Sequence, residues 1–266
     1  MTIALHKKRL ATAVCLTAIP ALALVFQGWV LFVVLALFCS LTLWEFYTMF
    51  QPMPGATTIK GLGAAFTFVM LGAFATGEPG YPAMVFLGAF WTAAVLFLLR
   101  FSSDSTSSFK PFLVFLAGLI YIPLNFHFLL SFSRHEILLV IGAAAISDTA
   151  AFYCGTLWGK KKIWPKVSPK KSWVGSLGGM AACMLATTAF GLSFGTAHIC
   201  QWLLLGAALN IAAQMGDFFE SALKRSLDIK DSGSLLPGHG GLLDRVDSLL
   251  LVVPTYGLIR MAHTFF

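Results

Sequence analysis

Nine apolar segments, near residues 10–27, 29–50, 61–77, 82–101, 110–132, 136–157, 174–194, 198–220 and 242–264, take up most of this 266-residue chain. A helix that crosses a hydrocarbon core needs about 20 apolar residues, and only the third segment falls clearly short. Helices follow because a lipid-exposed backbone must satisfy its own hydrogen bonds. The period-two alternation of an outer-membrane barrel is absent. Only 11% of the residues are charged, against about 25% in a typical soluble domain, and the mean hydropathy is +0.83. The expected fold is therefore an all-α integral membrane protein with about nine transmembrane helices. Lys7, Lys8 and Arg9 before the first run have the look of a signal peptide. The second run follows almost at once, so a retained first helix is the simpler reading.

Basic residues set the expected orientation. With the N-terminus in the cytoplasm, nine spans put the C-terminus on the opposite side. Sixteen of the eighteen lysines and arginines then face the cytoplasm, and only Arg134 and Arg260 do not. That asymmetry obeys the positive-inside rule. The five cysteines, Cys15, Cys39, Cys154, Cys183 and Cys200, all lie in apolar stretches without a CxxC, which reads as buried thiols.

Polar chemistry is confined to one part of the chain. Residues 1–135 read as scaffold helices, with Glu45 as a structural or interfacial carboxylate. Residues 136–266 read as a catalytic part of the same membrane domain, with cytoplasmic loops 158–173 and 221–243. Six of the eleven acidic residues lie between Gln214 and Ser248. Charges beside membrane helices are expensive and mark functional sites by default. Asn210, Gln214, Asp217, Ser221 and Lys224 recur at spacings of 4, 3, 4 and 3, which makes one stripe on a helix. Such a stripe faces protein, water or a ligand rather than lipid.

The stripe runs into a loop with Gly238, Gly240 and Gly241 around Pro237 and His239. Glycines let backbone N–H groups approach phosphate oxygens. His239 is open to three roles: acid, phosphate donor or loop brace. Asp244 and Asp247 follow at i and i+3 and are expected to open the last helix on one face. Together with Asp217 they make a Mg2+ site, since this ion takes one or two carboxylates plus water and substrate phosphates. The loop 159–175 carries six lysines, of which Lys170 and Lys171 are aimed by the turn at Ser168 and Pro169. Asp148 sits inside the sixth segment, where a carboxylate needs a partner, a proton or a cation.

Taken together, these motifs resemble the phosphatidate cytidylyltransferases, or CDP-diacylglycerol synthases. The family's C-terminal signature is matched by Ser221, Lys224, Arg225, Lys230, Asp231, Pro237, His239, Gly240, Gly241, Asp244, Arg245 and Asp247. Its Gln-x-Gly-Asp is matched by Gln214, Gly216 and Asp217, its basic loop by Ser168 to Lys171, and its Asp-Thr by Asp148 and Thr149. Two positions depart: Val174 stands where the family usually has glutamate, and Phe152 where it usually has tyrosine. The specific likeness covers roughly residues 145–250.

The resemblance implies transfer of a cytidylyl group from CTP to phosphatidic acid, giving CDP-diacylglycerol and pyrophosphate in phospholipid biosynthesis. It implies catalytic roles for Lys224, Arg225, Lys230, Asp231 and His239. It assigns substrate contacts to Asp148, Ser168, Lys170, Lys171, Ser221, Gly240, Gly241 and Arg245. Mg2+ falls to Asp217, Asp244 and Asp247, with a second cation left open. The expected location is a bacterial inner (cytoplasmic) membrane with the site facing the cytoplasm. The partners are the bilayer and the two substrates, without nucleic acid, and a homodimer stays open. Two other functions are weighed beside it. A CTP-dependent lipid kinase would release CDP instead. A membrane transporter would carry internal repeats and a mid-membrane site, whereas here the charges gather at one edge.

Overall fold

A computed structural model describes residues 18–50, 55–236 and 240–266. Among these the structure is helical, without a β-strand. Residues 18–26 are helical, and the rest of the expected 10–27 segment lies outside the described residues. The helices that follow are α1 (Gly28–Met49), α2 (Ala56–Ala75), α3 (Gly80–Ser103), α4 (Lys110–Tyr121), α5 (Pro123–Phe126), α6 (Arg134–Trp158), α7 (Trp173–Phe194), α8 (Ile199–Ser226) and α9 (Leu249–Ala262). Counting Lys110–Ser131 as one span, seven are long and apolar enough to cross a membrane, and α9 is a shorter apolar helix. The protein is an all-α integral membrane protein.

Local chemistry explains where the helices begin and break. Ser133 starts α6 with a capping box: its Oγ accepts from Glu136 N–H at 3.3 Å, and Glu136 Oε2 accepts from Ser133 N–H at 2.7 Å. Ser172 Oγ caps α7 by accepting from Gly175 N–H at 3.2 Å. The expected 110–132 segment is not one uninterrupted helix. It breaks at Ile122 because Pro123 has no N–H to donate, and it finishes as a 3-10 turn over His127–Ser131. The last helix also starts later than expected, at Leu249, because Leu243–Arg245 forms a 3-10 turn. Asp244 and Asp247 therefore precede α9 rather than open it. In that turn Asp247 Oδ1 takes the N–H of Ser248 at 2.8 Å.

The chain divides into two compact units. The first comprises Met1–Ser131 with Asp231–Leu243. Its core is aromatic: Tyr47 is fully buried and donates its hydroxyl to Phe115 O at 2.8 Å. Helix α3 buries only Pro82, Ala89 and Ala93, and leaves Met84, Trp91 and Leu98 more than half exposed. Lipid tails are as apolar as these side chains, so close packing rather than exclusion of water holds the unit together. Glu45 is buried and engages Leu242 and Leu243, which explains why the 231–243 loop belongs with the N-terminal helices.

The second unit comprises Phe132–Lys230 with Asp244–Phe266. Here α6 and α7 touch backbone to backbone. A Cβ on Gly175 would lie 2.6 Å from Ala151 O, and one on Gly179 would lie 2.8 Å from Ser147 O. This i, i+4 pair of small residues is what lets two membrane helices approach. A polar seam then ties α6, α7 and α8. Ser147 Oγ donates to Asn210 Oδ1 at 2.8 Å, Gln214 Nε2 donates to the same oxygen at 3.0 Å, and Ser176 Oγ donates to Gln214 Oε1. In the first turn of α6, buried Glu136 accepts from Tyr256 Oη at 2.8 Å and pairs with Arg260 Nε at 2.8 Å, which fixes α9. Four cysteines are free: Cys39 and Cys183 are buried as expected, Cys154 is half-buried, and Cys200 is exposed. Cys15 lies outside the described residues.

Candidate active site

Helix α8 is the backbone of the site. Its 28 residues extend roughly 42 Å at about 1.5 Å each, longer than a hydrocarbon core of about 30 Å. Its polar stripe is divided between two jobs. Asn210 and Gln214 belong to the buried seam. Asp217, one turn further on, opens onto a cavity of about 690 Å³ within the second unit. Gly216 is required between them, since any Cβ there would collide with the backbone oxygen of Asp247. That close approach brings Asp247 beside α8.

The cavity gathers eight of the residues singled out from sequence: Asp148, Ser168, Lys170, Lys171, Asp217, Asp244, Arg245 and Asp247. They come from α6, from the 159–173 loop, from α8 and from the turn before α9. Four positions remote in sequence thus converge on one space. The basic loop is folded rather than loose. Lys171 N–H closes a turn onto Ser168 O at 3.4 Å with Pro169 second in the turn. Trp173 N–H reaches Lys161 O at 3.0 Å, and Lys162 Nζ donates to Lys170 O at 3.3 Å. Lys170 remains exposed at the cavity rim. Phe152, where the resembled family has tyrosine, also lines the cavity.

Most charges here have partners. Lys171 pairs with Asp217 Oδ2 at 2.6 Å and lies 4.6 Å over the Phe218 ring. Ser221 Oγ donates to Asp217 Oδ1 at 3.1 Å, so this serine orients the carboxylate. Ser248 Oγ donates to Asp148 Oδ2 at 2.8 Å. Lys224 bridges Glu220 Oε2 at 3.0 Å and Asp244 Oδ1 at 2.6 Å. It is not among the cavity-lining residues. Arg225 donates to Ile229 O at 3.1 Å, which closes the end of α8. Lys230 and Asp231 are exposed, and Gly240 and Gly241 belong to the first unit. His239 lies outside the described residues.

Sequence reasoning gave Glu220 no role. It is fully buried, and its only sequence signal is the i, i+4 relation to Lys224. Ser248, four residues after Asp244 in the sequence, is set against Asp148 in the structure. Asp247 carries an electrostatic signature of its own. Burial first, and the nearby Asp217 carboxylate second, push its carboxyl from 3.8 up to about 6.

The donor chemistry fits a hard cation, because carboxylate oxygens suit Mg2+. The Asp217 carboxylate adds to the burial that raises Asp247, and a cation would relieve that repulsion. Among the described residues, however, no three His, Cys, Asp or Glu side chains are grouped to hold an ion by themselves. Lys171 and Lys224 already neutralise Asp217 and Asp244. A Mg2+ ion here would need substrate phosphates and water to complete its shell, as this ion usually does.

Comparison with known proteins agrees with this architecture. A profile of the Cytidylyltransferase family matches residues 7–262. A phosphatidate cytidylyltransferase of Bacillus subtilis (strain 168) is 36% identical over 171 residues, covering 60% of this chain and 63% of that protein. One from Thermotoga maritima is 35% identical over 187 residues, covering 66% and 68%. One from Staphylococcus saprophyticus is 37% identical over 162 residues, covering 59% and 62%. The chain thus spans just under two thirds of the length of the Bacillus and Staphylococcus relatives. With almost its whole length matched, the chain belongs to the cytidylyltransferase family.

Proposed function

We propose that this protein transfers the cytidylyl group of CTP to phosphatidic acid, yielding CDP-diacylglycerol and pyrophosphate. The observation that carries the reading is the cavity. It holds Lys170, Lys171 and Arg245 facing Asp148, Asp217 and Asp247 in a protein otherwise built of apolar helices. Both reactants are anionic, so their meeting needs cationic side chains, while carboxylates suit a cation bound with the triphosphate. Relatives named phosphatidate cytidylyltransferase support the same assignment.

In this mechanism a lipid phosphate oxygen attacks the α-phosphorus of CTP. The bond to the β-phosphate breaks, and pyrophosphate leaves with that electron pair. The lipid phosphate is ionised near neutral pH, so no strong general base is required. Lys170 and Arg245 hold phosphate oxygens in line and counter the charge that develops on the leaving group. Lys171 shifts between Asp217 and the incoming phosphates. Asp217 and Asp247, with Asp244 beside them, would hold Mg2+. The ion would supply Lewis-acid charge neutralisation between the phosphates. Apolar helices keep the acyl chains in the bilayer, and the site faces the cytoplasm of a bacterial inner membrane.

Purified protein in neutral detergent, given CTP, phosphatidic acid and Mg2+, should release pyrophosphate and CDP-lipid in equal amounts. Release of CDP with a phosphorylated lipid would assign a lipid kinase instead.

A further inference from the structure

Glu45 is a carboxylate near the C-terminal end of the apolar helix α1, and only 4% of it is exposed. A buried carboxylate needs strong partners, and it finds them about 190 residues away. Its Oε2 accepts the backbone N–H of Leu242 at 2.6 Å and of Leu243 at 2.9 Å. Its Oε1 faces the N–H of Leu235 at 3.4 Å. Two glycines make room for this contact. A Cβ on Gly233 would lie 2.5 Å from Oε1, and one on Gly241 would lie 2.9 Å from Oε2. Gly233, Leu235 and Gly241–Leu243 thus surround a single carboxylate. Hydrogen bonds to a charged acceptor are roughly twice as strong as neutral ones.

We infer that Glu45 is the positioning residue for the two arms of the glycine loop, holding the backbone at Gly233–Leu235 and Gly241–Leu243 before substrate arrives. Its consequence for catalysis rests on the cytidylyl-transfer reading; the anchoring itself does not. A loop that offers N–H groups to phosphates works best when its shape is set in advance, because ordering it on binding would cost affinity and rate. Gly240, with φ +82, adopts a backbone that other residues rarely tolerate. Glycine enters that region without strain, so its surroundings must hold one conformation among several open to it. Glu45 supplies that hold from the adjoining Gly241, Leu242 and Leu243.

The test compares Glu45→Ala and Glu45→Gln with Tyr47→Phe in the full-length protein in detergent. Tyr47 lies on the same helix and is buried, but its hydroxyl serves Phe115 and not the loop. Two quantities are read: hydrogen exchange at the Leu242 and Leu243 amides, and kcat/KM for CTP. Glu45→Ala should speed exchange at both amides by about tenfold or more, since it opens them locally, and should lower kcat/KM by a similar factor. Glu45→Gln keeps one oxygen acceptor and should lose less of both. Tyr47→Phe should change neither by more than about twofold, because no loop hydrogen bond is removed. Unchanged amide exchange in Glu45→Ala overturns the inference. So does a kcat/KM loss in Tyr47→Phe as large as that in Glu45→Ala. Where the alanine variant does not fold, the glutamine variant decides by the same exchange criterion. A wild-type protein that makes no CDP-lipid refutes the cytidylyl-transfer reading, and amide exchange then decides the anchor alone.

Discussion

Replacing Lys224 with methionine should destabilise the protein before it affects any phosphate. The ammonium is 12% exposed and spans two carboxylates, at 3.0 Å from Glu220 and 2.6 Å from Asp244. Glu220 is fully buried. Removing the cation strands that carboxylate without a counter-charge. Breaking a buried pair from one side costs about 3–5 kcal/mol, which is a factor of a hundred or more in the folding equilibrium. Methionine fills a similar volume, so packing loss adds little. Adding Glu220→Gln to Lys224→Met should return much of the lost stability, because the fully buried charge is then gone and only the 13% exposed Asp244 has lost the ammonium.

Unfolding in detergent by a denaturant titration, followed by tryptophan fluorescence, measures all three variants. A coupling energy of about 2 kcal/mol or more in the double-mutant cycle is expected for residues in one buried network. Activity separates the structural role from a chemical one. If Lys224 only neutralises its two partners, the stabilised double variant regains turnover. If it also touches phosphate, stability returns and activity does not. Near wild-type stability of Lys224→Met alone would refute the reasoning, since it would mean that Glu220 never depended on the pair.

Three further outcomes are expected. Lys170→Gln should lower kcat/KM more than Lys160→Gln in neutral detergent, because Lys170 lines the cavity and Lys160 does not; equal small losses would make the loop a general electrostatic surface. Burial and the Asp217 carboxylate push the Asp247 carboxyl up to about 6, so its protonated form gains weight as the pH falls; Mg2+ affinity by calorimetry should therefore decline progressively on acidification, by up to about tenfold per unit, and Asp247→Asn should abolish the pH dependence along with turnover. Glu136→Ala should cost about 1–3 kcal/mol by removing the acceptor of the Tyr256 hydroxyl, read as denaturant midpoint, with kcat of the folded fraction unchanged.

The membrane helices were legible because hydropathy and length state them outright, and the convergent residues were legible because their motifs are specific. What was hidden is long-range pairing. Lys171 and Asp217 each look functional in the sequence, yet nothing there says that they meet at 2.6 Å. Glu45 reads correctly as a structural carboxylate, but its partners are backbone N–H groups, and these carry no side-chain signature. Glu220 and Lys224 are visibly i, i+4, while the complete burial that makes the pair matter is a tertiary fact. The break at Pro123 shows the opposite case. Hydropathy carries straight through it, and only the missing N–H reveals it.

The geometry also explains why one stripe on α8 can hold the fold and do chemistry. Polar side chains inside a bilayer stabilise when they find partners, so Asn210 Oδ1 and Gln214 engage Ser147 and Ser176, while Asn210 Nδ2 has no partner among the described residues. That fixes the rotation of α8 against α6 and α7. Once the rotation is fixed, the spacing of three and four residues aims Asp217 at the cavity without further support. Ser221 and Lys171 then hold its two oxygens from opposite sides. Replacing Asn210 with leucine would leave Ser147 and Gln214 short of an acceptor and free the helix to rotate. The loss should therefore appear as weakened Mg2+ and CTP binding at Asp217, two turns away, as well as in stability. A variant that loses stability but binds both with wild-type affinity would show that the seam and the site are independent.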